Sequence, residues 1–183
     1  MPIQHSNDAI LKCMGRRTNH DDLVRIITHL RERIPDITLR TTLICGFPGE
    51  TEEMHEELMQ FVNDMEFDRL GAFTYSPEEG TPAAEMEFVD SEIAQARAQQ
   101  LEMIQSAIMD DWCESMIGRE LEVLVDGFDE ELEQFYGRSY ADSPDIDGRV
   151  WIATDEPIRE GQFVTVTIDG CVDGDLSGYI TEE

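Results

Sequence analysis

Lysine is almost missing from this chain. Lys12 is the one lysine among 183 residues, and arginine raises the basic total only to 13, against 41 aspartates and glutamates. The formal net charge is −28, so the surface repels phosphate backbones, and tight sequence-independent binding to nucleic acid is disfavoured unless a local basic patch exists. A basic protein partner suits such a surface. So does a proteome that is acidic throughout, in which a high-salt cytoplasm screens the self-repulsion. Long apolar runs are missing too: no stretch approaches the roughly 18 residues of a membrane-spanning helix. The opening Met1-Pro2-Ile3-Gln4-His5-Ser6-Asn7 lacks the basic-then-apolar order of a secretion signal. A cytoplasmic address without a membrane partner is the expectation. Cysteines are few, and Cys13, Cys45, Cys113 and Cys171 lie 32, 68 and 58 positions apart, which fits no short metal-ligand spacing and no dense disulfide framework. Most of them read as reduced, buried, small hydrophobes. No phosphate-binding glycine loop with its lysine is present. His20, His29 and His55 stand among charged neighbours in helical stretches, without the setting of a serine or cysteine nucleophile.

What is there divides in two. Asn7 or Ser6 caps a short helix with Ile10, Leu11 and Met14, and Gly15 falls where a left-handed residue ends it. A second helix starts near Thr18 to Asp21, carries Leu23, Ile26, Ile27 and Leu30 on one face, and stops before Pro35. Ile37 to Cys45, rich in β-branched residues, reads as a strand. Thr51 caps a helix bearing Met54, Leu58, Phe61, Val62 and Met65, and Phe67 to Tyr75 is another strand. Helix, strand, helix, strand implies parallel pairing. A long helix from Asp90 or Ser91 to about Met116 follows, with Gly118 just past its end. Beyond it, Glu120 to Val125, Gln134 to Ser139, Arg149 to Ala153, Gln162 to Ile168 and Gly174 to Ile180 are five short strand-like segments, which suggest a small antiparallel barrel. The expected domains are therefore 1–116 and 117–183.

Two strand ends offer places for a ligand. Thr41-Thr42-Leu43-Ile44-Cys45-Gly46-Phe47-Pro48-Gly49-Glu50-Thr51 turns sharply from strand to capped helix. Gly46 and Gly49 permit close backbone approach, Phe47 is a flat apolar surface, and the following helix favours a carboxylate or similar anion. An ordinary strand-to-helix turn explains the same residues. Tyr75 and Ser76 end the next strand, where ligands of parallel sheets gather, although a rigid loop is an equal reading. Gln4 and His5 precede a helix and read as caps or as contacts to a sugar or carboxylate. Arg40, inside an apolar strand, needs an anion or a carboxylate partner. Arg16, Arg17 and the acidic run from Glu50 to Glu57 read as solvated faces.

Taken together, Pro2-Ile3-Gln4-His5, Lys12-Cys13-Met14-Gly15-Arg16, Leu39-Arg40-Thr41-Thr42, Gly46 to Thr51 and Tyr75-Ser76-Pro77-Glu78-Glu79-Gly80-Thr81-Pro82-Ala83 resemble, in order and spacing, the radical S-adenosylmethionine methylthiotransferase family. Arg40-Thr41-Thr42 and Glu78-Glu79 lean towards the branch that modifies an aspartate of a small-subunit ribosomal protein, rather than the branch that modifies an adenosine of transfer RNA. Gly137 to Gly148 followed by Asp175-Leu176 looks like that branch's TRAM domain. The resemblance implies an α/β half of a TIM-like radical SAM barrel followed by a five-stranded antiparallel TRAM barrel that holds the macromolecular substrate. An acidic barrel suits a basic ribosomal protein better than RNA. It also implies S-adenosylmethionine and a 4Fe-4S cluster as cofactors, with Gln4, His5, Arg40, Thr42, Gly46, Phe47 and Tyr75 contacting the former. Arg40 would meet the methionine carboxylate and Phe47 the adenine. The family's C-x-x-x-C-x-x-C cluster loop is not in this sequence, and neither Cys13 nor Cys45 replaces it. The expectation is that the cluster domain and first barrel strands belong to missing amino-terminal domains or to a partner chain, and that this chain is inactive alone. A non-catalytic protein-binding module and a transfer-RNA-modifying fragment are the competing readings.

Overall fold

A computed structural model describes residues 1–180, which fall into two compact units, Met1–Ile108 and a second that starts at Met109. In the first, each helix begins where a polar side chain can satisfy its free amides. The Asn7 side chain accepts from Ala9 and Ile10 to start α1 (Asp8–Cys13), and Asn19 and Asp22 form a reciprocal capping box on α2 (His20–Arg33). Thr51 accepts from the Met54 amide to start α3 (Glu52–Met65). The Asp90 carboxylate accepts from Glu92 and Ile93 at the head of α4 (Ser91–Met116).

Strands β1 (Arg40–Cys45) and β2 (Arg69–Thr74) pair in parallel from Arg40 opposite Arg69 to Cys45 opposite Thr74. A third parallel segment joins at Gln4, whose N–H donates to the Thr42 carbonyl at 2.9 Å and whose carbonyl accepts from Ile44 at 2.8 Å. β1 is shorter than its β-branched run, because the Leu39 amide turns to the Asp68 carboxylate instead of a neighbouring strand. Along β1, Thr41, Leu43 and Cys45 are buried while Arg40, Thr42 and Ile44 are half-buried. Leu43 and Cys45 join Leu11, Ile27, Leu58, Phe61 and Leu101 in a core that the helices cover.

The second unit contains a closed barrel of β3 (Glu120–Asp129), β4 (Gln134–Arg138), β5 (Val150–Ala153), β6 (Phe163–Val172) and β7 (Asp175–Ile180), ordered β3-β4-β5-β7-β6. Four of the pairings are antiparallel, but β5 and β7 run parallel from Val150 opposite Leu176 to Ala153 opposite Tyr179. The expectation of a wholly antiparallel barrel is corrected on this point for a reason of parity. Strand direction cannot alternate all the way round a closed ring with an odd number of strands. β3 and β6 outlast their apolar runs by continuing through bulges near Val125/Gly127 and Ile168/Gly170. Alternate residues Leu121, Val123, Val125, Val164, Val166 and Ile168 fill the interior. Gly137 admits the neighbouring strand, since a Cβ there would lie 2.2 Å from the Leu124 carbonyl oxygen.

α4 runs across the division. Its end, with Trp112 and Met116, packs on the barrel core, so this second unit starts eight residues before the domain boundary expected at 117. A disulfide joins Cys113 on this helix to Cys171 on β6. The reading of most cysteines as reduced is corrected for that pair, while Cys13 and Cys45 are free thiols. The 58 residues between Cys113 and Cys171 concealed the pairing, because only barrel closure brings the end of β6 to the helix.

Candidate functional site

The turn after β1 is built around a buried carboxylate. Gly46 and Gly49 have φ of +74° and +90°, and the Glu50 amide donates to the Phe47 carbonyl at 2.9 Å. The chain folds back tightly enough for the Glu50 side chain to accept from the Gly46 N–H. His5 Nε2 and His55 Nδ1 each stand 3.6 Å from Glu50 Oε1, and all three side chains are fully buried. Those three atoms have no shorter polar partner. Their other sides are held: the Asn7 N–H donates to His5 Nδ1 at 3.0 Å, which leaves the proton of a neutral His5 on the nitrogen facing Glu50. His55 Nε2 lies 2.9 Å from the Gln100 amide oxygen. Arg97 of α4 closes the cluster, 3.4 Å from Glu50 Oε2, and donates to the Glu50 carbonyl at 3.2 Å and to Glu52 at 3.0 Å.

Burial alone would push the Glu50 carboxyl up. The His5 and His55 imidazoles and the Gly46 N–H outweigh it and hold the carboxyl at about 2, so it is ionised. Cys45, fully buried one residue before the turn, is pushed up to about 12 by burial and then by the Glu50 charge, so it stays a thiol. One carboxylate thus ties together the end of the Gln4 segment, the β1 turn, α3 and α4.

The predicted site residues separate into groups around this cluster. Gln4, with φ of +72°, ends the first parallel segment and is half-buried. His5 follows it but faces Glu50 inside the core. Gly46, Phe47 and Tyr75 come together at the ends of β1 and β2, where the Tyr75 N–H donates to the Cys45 carbonyl at 2.8 Å and the Phe47 and Tyr75 rings meet edge to face at 5.0 Å. Phe47 is only 5% exposed, its ring packed into the turn rather than laid open. Thr42 lies midway along β1 on the half-buried face. Arg40 starts the strand, roughly 20 Å of extended chain from Gly46. An open cleft of about 640 Å³ lies beside this edge, lined by Gly46, Thr74, Tyr75, Phe88 and Ala94 among others. A Cβ on Gly46 would sit 2.3 Å from that of Ala94, so this glycine serves the approach of α4 as well as the turn.

Arg97 and Gln100 were not singled out in the sequence, His55 was read as a helical residue among charged neighbours, and Glu50 was placed in a solvated acidic run. A signal existed for His55, which precedes Leu58 and Val62 on the apolar stripe of α3 at helical spacing.

On the barrel, the Gly137 to Gly148 stretch is a loop braced by its own carboxylates. Ser139 donates through N–H and hydroxyl to Asp142, at 3.0 and 2.6 Å, and the Ser143 N–H donates to Asp147 at 2.7 Å. Asp175 accepts from the Arg149 amide and the Trp151 indole, at 2.9 and 3.0 Å. A cleft of about 450 Å³ opens here, lined by Asp126, Tyr136, Arg138, Asp145 and Arg149. Arg138 is paired with Asp126, and the Arg149 guanidinium lies 4.4 Å above the Tyr136 ring.

Comparison with known proteins gives this architecture its class. Residues 1–62 match the Radical SAM superfamily and residues 117–180 match the TRAM domain, so the chain joins a Radical SAM segment to a TRAM barrel. Over its whole length it is similar to proteins named ribosomal protein uS12 methylthiotransferase RimO. It is 51% identical over 179 residues to that of Lachnoclostridium phytofermentans, covering 97% of this chain and 41% of the relative. It is 43% identical over 184 residues to that of Acetivibrio thermocellus, covering 100% and 41%. The chain thus spans about two fifths of the length of these relatives. Among solved structures, coproporphyrinogen III oxidase (HemN) of Escherichia coli, a Radical SAM enzyme, aligns over 61% of this chain and 26% of its own, with 19% identity and a TM-score of 0.46. No helix among the described residues is long and apolar enough to cross a membrane.

Proposed function

We propose that this chain is the carboxy-terminal part of a radical S-adenosylmethionine methylthiotransferase that adds a methylthio group to an aspartate of a small-subunit ribosomal protein, with its TRAM barrel holding the protein substrate. The observation that carries the reading is the end-to-end identity with RimO proteins, at 51% and 43%. The net charge of −28 supports a basic protein as substrate over transfer RNA.

A cluster does not fit the donors of this chain. Cys13 is exposed on α1, Cys45 is sealed in the core, and no group of three His, Cys, Asp or Glu among the described residues is placed to hold a metal. The cluster ligands are proposed to come from outside residues 1–183, and no step is assigned to the cluster here. S-adenosylmethionine fits the donor set better, because Gln4, Thr42 and Tyr75 keep partly accessible polar groups around one sheet. In this proposal Gln4, Arg40, Thr42, Gly46, Phe47 and Tyr75 form the cofactor's edge, with Arg40 limited to its far end, and His5 acts through Glu50. When bound, the cofactor would supply the radical that removes hydrogen from the substrate. This chain's residues would bind and orient it.

The test is the mass and metal content of the native protein, captured from its source cells with an antibody against residues 117–183. A species much heavier than 20.9 kDa that carries iron is expected. A species of 20.9 kDa without iron would overturn the enzyme reading for this chain and leave a protein-binding module.

A further inference from the structure

We propose that Cys113 and Cys171 form a redox switch, a reversible clamp between the last turns of α4 and β6 that opens to cationic thiols and resists anionic ones. The bond joins Cα atoms 5.5 Å apart, an ordinary span for a cystine. Barrel closure does not require it. Five strands already shut the ring, and Val123, Val166, Ile168 and Leu176 fill it, whereas domains that need disulfides lack such a core. The helix end has its own apolar grip as well. Trp112 and Met116, on either side of Cys113, pack on the barrel core, and Met109 Sδ lies 3.6 Å from where a Cβ on Gly174 would stand. The two cysteines are unequally placed: Cys113 is buried, while Cys171 is half-buried near the β6–β7 turn. A thiol from solution therefore meets Cys171 first, and cutting the bond releases the helix end without opening the ring.

Charge selects the thiol. Asp110, Asp111 and Glu114 flank Cys113, and Asp169, Asp173 and Asp175 flank Cys171, with no lysine, arginine or histidine within five positions of either. β7, which pairs with this end of β6, adds no base and sets Asp175 opposite Val172. Arg119 lies six residues past Cys113, and Arg149, just before β5, holds its guanidinium 4.4 Å from the Tyr136 ring. An attacking thiolate is already an anion, so a second negative charge on the reagent is repelled and a positive one is drawn in. In the opening step the thiolate attacks the Cys171 sulfur, and Cys113 leaves as a thiolate that takes a proton from water. A second thiol attacks the mixed disulfide and frees Cys171, so two electrons pass from two thiols to the cystine and the reagent ends as its own disulfide. The reverse exchange, with that disulfide as oxidant, closes the clamp. A ribosomal-protein substrate places the chain in a reducing compartment, where cystines are mostly transient or redox-sensing; the switch rests on the proposed function in that respect alone.

The test uses the full 183-residue chain, purified without reductant. Alkylation after unfolding is expected to find two free thiols, Cys13 and Cys45, and all four cysteines after reduction. Cysteamine, 2-mercaptoethanol and 3-mercaptopropionate are then compared per thiolate, each normalised to its rate with an uncharged small disulfide. At low salt cysteamine is expected to open the bond about tenfold faster than 3-mercaptopropionate, with the neutral thiol between them, and about 1 M sodium chloride to remove most of the difference. Amide exchange from Cys113 to Met116 is expected to quicken about tenfold on reduction and to recover on reoxidation. Val125 and Gly161, whose amides are bonded to the Gln162 and Val125 carbonyls, should keep their protection throughout. Cys171→Ser should exchange fast at the helix end from the start and ignore thiols. Four free thiols before reduction, equal normalised rates for the three reagents, an unchanged helix end, or loss of protection at Val125 and Gly161 when the bond is cut would each overturn the proposal. A native protein without iron would sink the enzyme reading and leave these thiol results standing.

Discussion

Glu50 joins His5, His55, Arg97 and the Gly46 amide inside the first unit. A carboxylate sealed from water costs free energy unless its partners repay it, and removing one member of such a cluster strands the rest. Its folded value of about 2 lies below the ordinary 4.5 of the unfolded chain, so the unfolded state binds the proton more tightly. The stability this carboxylate contributes is complete above about 4.5 and is lost as the pH falls towards 2. Glu50→Gln is expected to unfold in urea about 3 kcal/mol more easily than the parent at neutral pH. The gap should narrow below pH 4.5, where the unfolded parent takes up a proton at Glu50 that the folded parent does not, until the folded carboxyl is protonated too near pH 2; a gap that stays constant down to about pH 2 would mean that ionisation of Glu50 contributes nothing. At this scale the sequence was a partial guide. The pair Gln4-His5 and the turn Gly46 to Thr51 were legible as a place of interest. The sequence cannot show that His5, His55 and Arg97 meet at one carboxylate, because they come from segments separated by 50 and 42 residues and only tertiary packing aligns them. Glu50 was hidden by its company, since an acid among acids looks solvated.

Elements were far more legible than contacts. The cap Thr51, the start of α1 at Ser6 or Asn7, the start of α2 near Thr18 to Asp21 and both ends of α4 were readable because capping chemistry is local. β3 and β6 were underestimated, since a bulge lets a strand continue past the point where its apolar alternation breaks, at Gly127 and Gly170. The parallel β5–β7 pair follows from strand count and closure, which no single segment contains. Gly46 shows how an element junction constrains one residue twice: its backbone is left-handed, and α4 leans on the space a side chain would take. Gly46→Ala is expected to cost about 3 kcal/mol in thermal or urea unfolding, from the backbone conformation and from displacing Ala94. Gly49→Ala, with the same backbone problem but nothing within 4 Å, should cost about 1 kcal/mol.

For the molecule as a whole, 41 acidic against 13 basic residues make the folded chain repel itself. Raising sodium chloride from 10 mM to 1 M shortens the screening length from about 30 Å to about 3 Å. The denaturation temperature is expected to rise by at least about 3 °C across that range. The difference between the parent and Glu50→Gln should change little, because a buried cluster is screened far less than a surface. A flat salt response in scanning calorimetry would mean that the acidic surface is already offset by pairing. Domain content was legible at this scale, through motif order and the change from helical to strand-like texture near residue 117. The disulfide was not, because it depends on where a closed barrel carries Cys171.

Closure of that barrel also sets an order of events. β3 must pair with β4 a few residues on and with β6 much later, from Glu120 opposite Thr167 onwards, while β5 must find β7 across the intervening β6. Nearly all of residues 120–180 must therefore be available before the ring can shut. A ribosome making this chain from its amino end finishes Met1–Ile108 long before the barrel can form. Such distant pairings are slow to find, so the acidic barrel closes after Met1–Ile108 has been made, and the interval before it closes is when Cys113 and Cys171 are open to other thiols.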